Sequence, residues 1–261
     1  MKQERHHYVF QIQFLGFRYS GWQQQPGQKT IEGMLVKTLT FILPGRKFKI
    51  LGAGRTDAKV SALQAAFELF LEGQPIEDDV SFTAIFNANL PPDIKVIKMY
   101  QVDESFNIIH DSKSKQYVYL FSFGQKNHPF CAPFLANILD NLDIELMTEA
   151  AKMFVGTHDF SLYTASIQEH IKVIRTIHSC KICNNDFISA SFFPELTYAF
   201  VIEGEGFMRY QVRMMMGALI QLGKGILSIE DIRRSLIPDL SMKLEYIAPA
   251  SGLLLHRLDF K

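Results

Sequence analysis

His7-Tyr8-Val9-Phe10-Gln11-Ile12-Gln13-Phe14 carries Tyr8, Phe10, Ile12 and Phe14 in alternation with His7, Val9, Gln11 and Gln13. Successive side chains of a strand point to opposite faces, so this stretch predicts a strand with one firmly apolar face. A helix is expected next: Thr30 caps it, Glu32 suits its first turn, and Ile31, Met34, Leu35, Leu39 and Ile42 keep helical spacing until Pro44-Gly45 stops it. Strands near Lys47 to Ala53 and Leu63 to Leu71, a helix near Asp79 to Asn87 and a strand near Ile94 to Val102 complete a β-α-β-β-α-β order.

The second half repeats that order. Lys115 to Phe123 places Tyr117, Tyr119, Phe121 and Phe123 on one strand face, and a helix follows with Leu146, Ala150 and Phe154. Strands near Ile171 to Ile182 and Phe187 to Val201 flank an Asn184-Asn185-Asp186 turn. A helix near Gly206 to Leu222, a short helix opened by the Ser228/Asp231 capping box, and a strand near Leu253 to Asp259 complete the chain. The fold class is therefore α+β: two ferredoxin-like halves, residues 1–104 and 105–261, with a cleft where they meet. Ligands favour such junctions, which directs attention to the cleft without saying what binds there.

Composition narrows the class. A chain of 261 residues with 48% hydrophobic content supplies the apolar surface a core needs and is not expected to be disordered. The N-terminus shows no signal-peptide pattern, and the longest apolar run, around Met214 to Leu222, is broken by Gly217 and Gln221. A soluble cytoplasmic protein with no membrane association is expected. Three cysteines do not make a disulfide framework. A formal net charge of zero weighs against a strongly basic nucleic-acid binder, although a local basic surface can be balanced elsewhere.

Two segments carry candidate chemistry. Gly52-Ala53-Gly54-Arg55-Thr56-Asp57-Ala58-Lys59 joins two apolar strands and sets an arginine, a hydroxyl and a carboxylate beside two glycines. Taken alone, Asp and Thr in a turn more often satisfy local backbone donors than perform catalysis. Gly204 to Arg213 opens an apolar helix in which Arg209 and Arg213 fall four apart on one face. A solvated basic stripe would explain this, but Arg213 runs into Met214-Met215-Met216, where a guanidinium requires a specific partner. Metal ligation is rejected: Cys180 and Cys183 are three apart in a predicted strand, hence on opposite faces, and no second pair exists. His110 and His128 lack ligand-like spacing, and Gly52-Ala53-Gly54 lacks the completion of a phosphate loop.

Taken together, an ordered series of segments resembles the tRNA pseudouridine synthase A family over nearly the whole chain. It comprises Gly21-Trp22-Gln23-Gln24-Gln25-Pro26, Gly54-Arg55-Thr56-Asp57, Asn87-Ala88-Asn89-Leu90-Pro91 and the Lys-x-Tyr-x-Tyr of Lys115 to Tyr119. Gly156-Thr157-His158-Asp159-Phe160, Arg175-Thr176-Ile177, Gly206-Phe207 through Val212-Arg213, and Pro249-Ala250-Ser251-Gly252-Leu253 continue it. The resemblance implies two ferredoxin-like halves around a shared, mostly antiparallel central sheet. It also implies conversion of uridine to pseudouridine in transfer RNA, in the anticodon stem-loop, by a homodimer using no cofactor and no metal.

By the same resemblance, Asp57 is the catalytic aspartate, Tyr117 the tyrosine that stacks on uracil, and Arg213 the basic partner of the aspartate. A neighbouring guanidinium favours the ionised carboxylate. Arg55 replaces stacking lost when the base is extruded, with Thr56 and Lys115 also assigned to RNA, and Gly252 and Leu253 to the substrate pocket with Tyr117. Three departures stand out: Lys59-Val60-Ser61-Ala62 replaces Gly-Val-His-Ala, Asn107-Ile108-Ile109 replaces His-Ala-Arg, and Leu15 replaces an acidic residue. They fall on expected RNA-contacting loops, so altered RNA grip or uridine choice is expected. The competing readings are a non-catalytic tRNA-binding or RNA-folding paralogue and, more remotely, a small-molecule enzyme.

Overall fold

The computed structural model describes residues 4–165, 172–238 and 242–261. It divides into two units, Met1–Lys113 with Leu255–Lys261, and Ser114–Leu254.

The first unit runs β1 (Arg5–Phe14), α1 (Ile31–Ile42), β2 (Phe48–Gly52), β3 (Ser61–Glu72), α2 (Asp79–Asn89) and β4 (Ile94–Val102). The pairings of β1 with β3 and β4 and of β2 with β3 are antiparallel: Phe10 of β1 lies opposite Phe67 of β3 and Met99 of β4, and Ile50 of β2 lies opposite Leu69 of β3. The resulting order, β4-β1-β3-β2, is that of a ferredoxin-like sheet. The Thr30 hydroxyl accepts from the Gly33 amide at the start of α1, and the Asp78 carboxylate accepts from Val80 and Ser81 at the start of α2. Ile31, Leu35 and Leu39 form the buried stripe of α1, while Phe10 stacks on Phe67 and meets Phe86 of α2 edge-on.

The apolar face expected for β1 is present, with Tyr8, Phe10, Ile12 and Phe14 all buried. Its other face is covered as well, because Val9 packs with Ala53, Ala66, Ile108 and Leu258, the last from the chain's final strand. Under that cover sits a buried carboxylate. Glu68 accepts from the Ile108 amide and lies 3.1 Å from His7 Nδ1, so its burial is matched by hydrogen bonds.

The second unit contains most of β5 (Ser112–Phe123), then β6 (Ala136–Ile138), α3 (Ile144–Ala151), β7 (Gly156–Asp159), β8 (Ile174–Asn184), β9 (Tyr198–Gly204), α4 (Gln211–Gly223), α5 (Ile229–Arg234) and the start of β10 (Leu253–Phe260). The antiparallel order β5-β9-β8 reproduces β1-β3-β2 of the first unit. Antiparallel β7 on β8 and a parallel β6 on β5 are additions to the repeat. The capping box at Ser228 and Asp231 is complete in both directions.

Four expectations require correction. Strand β9 begins at Tyr198 rather than Phe187, because Asn185 closes a local turn by accepting from the Phe187 and Ile188 amides. Helix α4 begins at Gln211 rather than Gly206, which leaves Arg209 outside the helix. Phe154 lies in a 3₁₀ turn, Lys152–Phe154, beyond α3. Strand β8 begins at Ile174, and Ile171, from which the pattern starts it, lies outside the described residues. Among the described residues no helix is long and apolar enough to cross a membrane.

Candidate active site

The Asp57 loop links β2 to β3 and is anchored by main-chain hydrogen bonds. The Trp22 amide donates to the Thr56 carbonyl at 3.0 Å, the Lys59 amide to the Tyr19 carbonyl at 3.0 Å, and the Val60 amide to the Asp57 carbonyl at 3.2 Å. Gly21 makes the close approach possible: its φ is 96°, and a Cβ there would stand 2.7 Å from the Thr56 oxygen. At Gly16 a Cβ would overlap the Val60 carbonyl oxygen. The Gly16 amide donates to Ser61 Oγ at 3.0 Å, so the serine at the first departure pins the two loops together.

A second clasp lies one residue further out. The Tyr19 hydroxyl donates to Asp93 Oδ1 at 2.6 Å, Arg18 donates to Oδ2 from Nε at 2.9 Å and from Nη2 at 2.6 Å, and the Leu15 amide donates to the Asp93 carbonyl. Burial raises the Asp93 pKa, but the hydrogen bonds from Tyr19 and Arg18 outweigh it and hold the carboxyl below its ordinary range. Burial, then Asp93 itself, pushes the Tyr19 phenol up. Asp57 and Thr56 are half-buried and Arg55 is exposed. Thr56 Oγ1 is enclosed and has no hydrogen-bond partner among the described residues.

In the second unit, Lys115 and Tyr117 lie on β5, opposite Gly204 and Ile202 of β9. The Tyr117 ring meets Phe207 edge-on, with centroids 5.3 Å apart. Desolvation lowers the Lys115 pKa. Arg213, in the first turn of α4, donates from Nε to the Ala248 carbonyl at 2.8 Å, and its guanidinium lies 5.1 Å from the centroid of the Tyr210 ring. Gly252 seats directly on β5: a Cβ there would stand 2.5 Å from the Leu120 oxygen and 3.1 Å from Tyr119 Cζ. Leu253 beside it is buried. The Tyr119 phenol is fully enclosed; burial and then Tyr246 push its pKa up, against the pull of Arg213.

The expected residues thus form two sets. Arg55, Thr56 and Asp57 share one loop of the first unit, and Lys115, Tyr117, Arg213, Gly252 and Leu253 belong to the second. Tyr19 and Asp93, which support the first set, are not singled out by the sequence, and Tyr119 and Tyr210, which support the second, lie in its motif segments without an assigned role. The clasp joins residues more than 70 positions apart and has no local signature. The Asn107-Ile108-Ile109 departure is mixed: Ile108 is core, whereas Asn107 and Ile109 are exposed and the Asn107 side chain accepts from the Ile109 and His110 amides. Burial raises the pKa of both the Cys180 and Cys183 thiols, which disfavours reactive thiolates.

A half-buried carboxylate fixed by its own backbone can act as nucleophile or proton acceptor, and a half-exposed tyrosine ring offers a flat surface to a base. Comparison with known proteins identifies the family. A family model described as tRNA pseudouridine synthase matches residues 150–261. The tRNA pseudouridine synthase A of Thermodesulfovibrio yellowstonii is 35% identical over 253 residues, covering 95% of this chain and 96% of the relative. That of Bacillus sp. strain KSM-64 is 32% identical, covering 97% and 99%, and that of Lacticaseibacillus casei 30%, covering 97% and 98%. With the similarity running end to end in both partners, the chain belongs to the tRNA pseudouridine synthase A family.

Proposed function

We propose that this protein isomerises uridine to pseudouridine in transfer RNA, acting in the cytoplasm as a homodimer on the anticodon stem-loop. Asp57 is the catalytic carboxylate that lets uracil leave its sugar, breaking the N1–C1′ bond, and rejoin through a C5–C1′ bond, with the C5 proton released and N1 gaining one. Tyr117 stacks on the uracil, and Arg213 supplies the positive charge that favours the ionised aspartate. Arg55 and Thr56, with Lys115, engage the RNA, and Gly252 and Leu253 shape the pocket around the base. The isomerisation transfers no electrons to an outside acceptor and donates no group, so its chemistry calls for no redox or group-carrying cofactor.

The observation that carries this reading is the construction of the Asp57 loop. Glycines at positions 16 and 21 let two backbone segments come close enough to fix the aspartate's main chain from both sides, while Arg55 remains exposed. A loop that merely turned between two strands would not require that approach. Extruding a base costs a few kcal/mol, which an exposed arginine beside the carboxylate is suited to offset by stacking.

The test is tritium release from transfer RNA labelled at uridine C5, comparing the native chain with Asp57→Asn. Release by the native chain with a loss of about 10²-fold or more in the variant is expected, the scale on which removing a proton-handling group acts. Tight tRNA binding with no release from either protein would replace the reading with a non-catalytic RNA-binding one.

A further inference from the structure

Tyr210 has a backbone conformation that its residue type disfavours. Its φ is 65° and ψ −2°, in the left-handed region, and a bulky aromatic there is an outlier that persists only where its surroundings over-determine it. The surroundings do so here. Gln211, fully buried, accepts from the Met208 amide at Oε1 at 2.8 Å and returns its own amide to the Met208 carbonyl at 3.1 Å. This closed turn fixes residues 208–211, and the Tyr210 carbonyl then accepts the first bond of α4 from Met214 at 2.9 Å.

The turn sets the Tyr210 ring against two cations. The Arg213 guanidinium lies 5.1 Å from its centroid and that of Arg209 lies 4.9 Å away, both within the range of cation–π attraction. Arg209 Nη2 also donates to the Tyr210 hydroxyl at 3.2 Å. Arg213 is therefore held by the Ala248 carbonyl at Nε as well as by the tyrosine ring beside its guanidinium. Glycine or asparagine would meet the backbone demand at this position with less strain. This chain has a tyrosine against that preference, and its ring is what the alternatives lack.

We infer that Tyr210 is a positioning residue, whose ring orients the Arg213 guanidinium for the reaction, an inference that rests on the role proposed above for Arg213. Tyr210→Gly removes the ring and relieves the backbone, whereas Tyr210→Phe keeps the ring and removes only the hydroxyl. The experiment measures kcat and KM by tritium release, Tm, and the Arg213 Nε–H nuclear magnetic resonance signal, assigned by its loss in Arg213→Lys. In Tyr210→Gly the Arg213 Nε–H exchanges faster with solvent, as expected of a guanidinium released from its seat against the ring, kcat falls roughly 10- to 100-fold with KM little changed, and Tm does not fall, the pattern of a misoriented catalytic group in a sound fold. Tyr210→Phe behaves as the native chain in all three.

An unchanged Arg213 Nε–H exchange rate in Tyr210→Gly overturns the inference, and so does an unchanged kcat. A native chain that releases no tritium overturns the catalytic reading instead, and the Arg213 Nε–H exchange rate alone then decides whether Tyr210 orients the guanidinium.

Discussion

Lys59 and Tyr210 are, among the described residues, the two non-glycine residues with positive φ, and each stands within three positions of a proposed catalytic residue, Asp57 or Arg213. The two loops reach this state by different means. At Lys59 the conformation is held by main chain, since its amide donates to Tyr19 and the Asp57 and Thr56 carbonyls accept from Val60 and Trp22. At Tyr210 a buried glutamine side chain closes the turn, and the ring acts on two arginines. A carboxylate whose position is set by backbone tolerates side-chain change nearby but not added bulk. A guanidinium at the end of a long, flexible stem needs side chains to orient it, so its loop tolerates bulk where nothing packs.

The largest effect that tests this contrast comes from adding one methyl group to each loop. Gly16→Ala would drive a Cβ into the Val60 carbonyl, a backbone atom that can yield only if the Asp57 loop moves. Overpacking of this kind costs roughly 1–3 kcal/mol or more, and catalysis should fall with it because the displaced segment carries Asp57. Gly206→Ala, in the segment leading to Arg213, meets nothing within 4 Å and does not require positive φ. Its effect on stability should stay within about 0.5 kcal/mol. Denaturant unfolding of both variants reads the difference directly, and equal costs would erase the proposed distinction between the loops.

A smaller effect is expected at the clasp. Asp93 reaches the Asp57 loop through Tyr19, whose hydroxyl it accepts and whose carbonyl receives the Lys59 amide. Asp93→Asn should cost about 1.5–3 kcal/mol, the range for hydrogen bonds to a charged group, with most of it from the buried Tyr19 bond because Arg18 is exposed to solvent. The folded carboxyl is held below its ordinary range, so its stabilisation is fully present above the usual Asp value of about 4 and is lost as pH falls through the lower folded value. Unfolding followed from pH 7 downward should therefore show a weaker acid loss in Asp93→Asn than in the native chain. Parallel profiles would remove Asp93 from the set of groups linking stability to pH.

What the sequence made legible follows the range of each interaction. Thr30, Asp143 and Ser228 act on amides three positions away, and the helices they cap begin where local patterns can place them. The repeat was legible because alternation in β1 and β5 and the intervening helical spacing do not depend on partners. Helix α4 misled the reading because Met208 and Gln211 close a turn whose outcome, a tyrosine at positive φ, has no compositional sign. Strands β6 and β7, three and four residues long, are defined by their pairing with β5 and β8 rather than by a pattern of their own. At the candidate site, the glycines, Arg55 and Asp57 stood out as a motif, whereas the Tyr19–Asp93 clasp exists only once the chain has folded.

The smallest expected effect turns the comparison on the two strained residues themselves. Family resemblance places glycine where this chain has Lys59, and the observed φ of 68° is a conformation that glycine adopts freely. The lysine offsets part of its backbone cost with little beyond a 5.9 Å approach of Nζ to the Phe17 ring, and the side chain is otherwise exposed. Lys59→Gly should therefore raise stability by about 1 kcal/mol, reduced somewhat by the greater entropy of glycine in the unfolded chain, while leaving kcat unchanged because the Lys59 amide and its bond to Tyr19 survive. Tyr210→Gly relieves the same kind of strain, yet it should lower kcat because there the ring, beside the Ala248 carbonyl, orients the catalytic group. If Lys59→Gly also lowered kcat at unchanged KM, the lysine side chain would have to take part in the reaction, and the division between a loop organised by backbone and one organised by side chains would fail. If it raised KM alone, the division would hold and Lys59 would be assigned a contact with the RNA, a basic group at the edge of the catalytic loop where the family pattern has none.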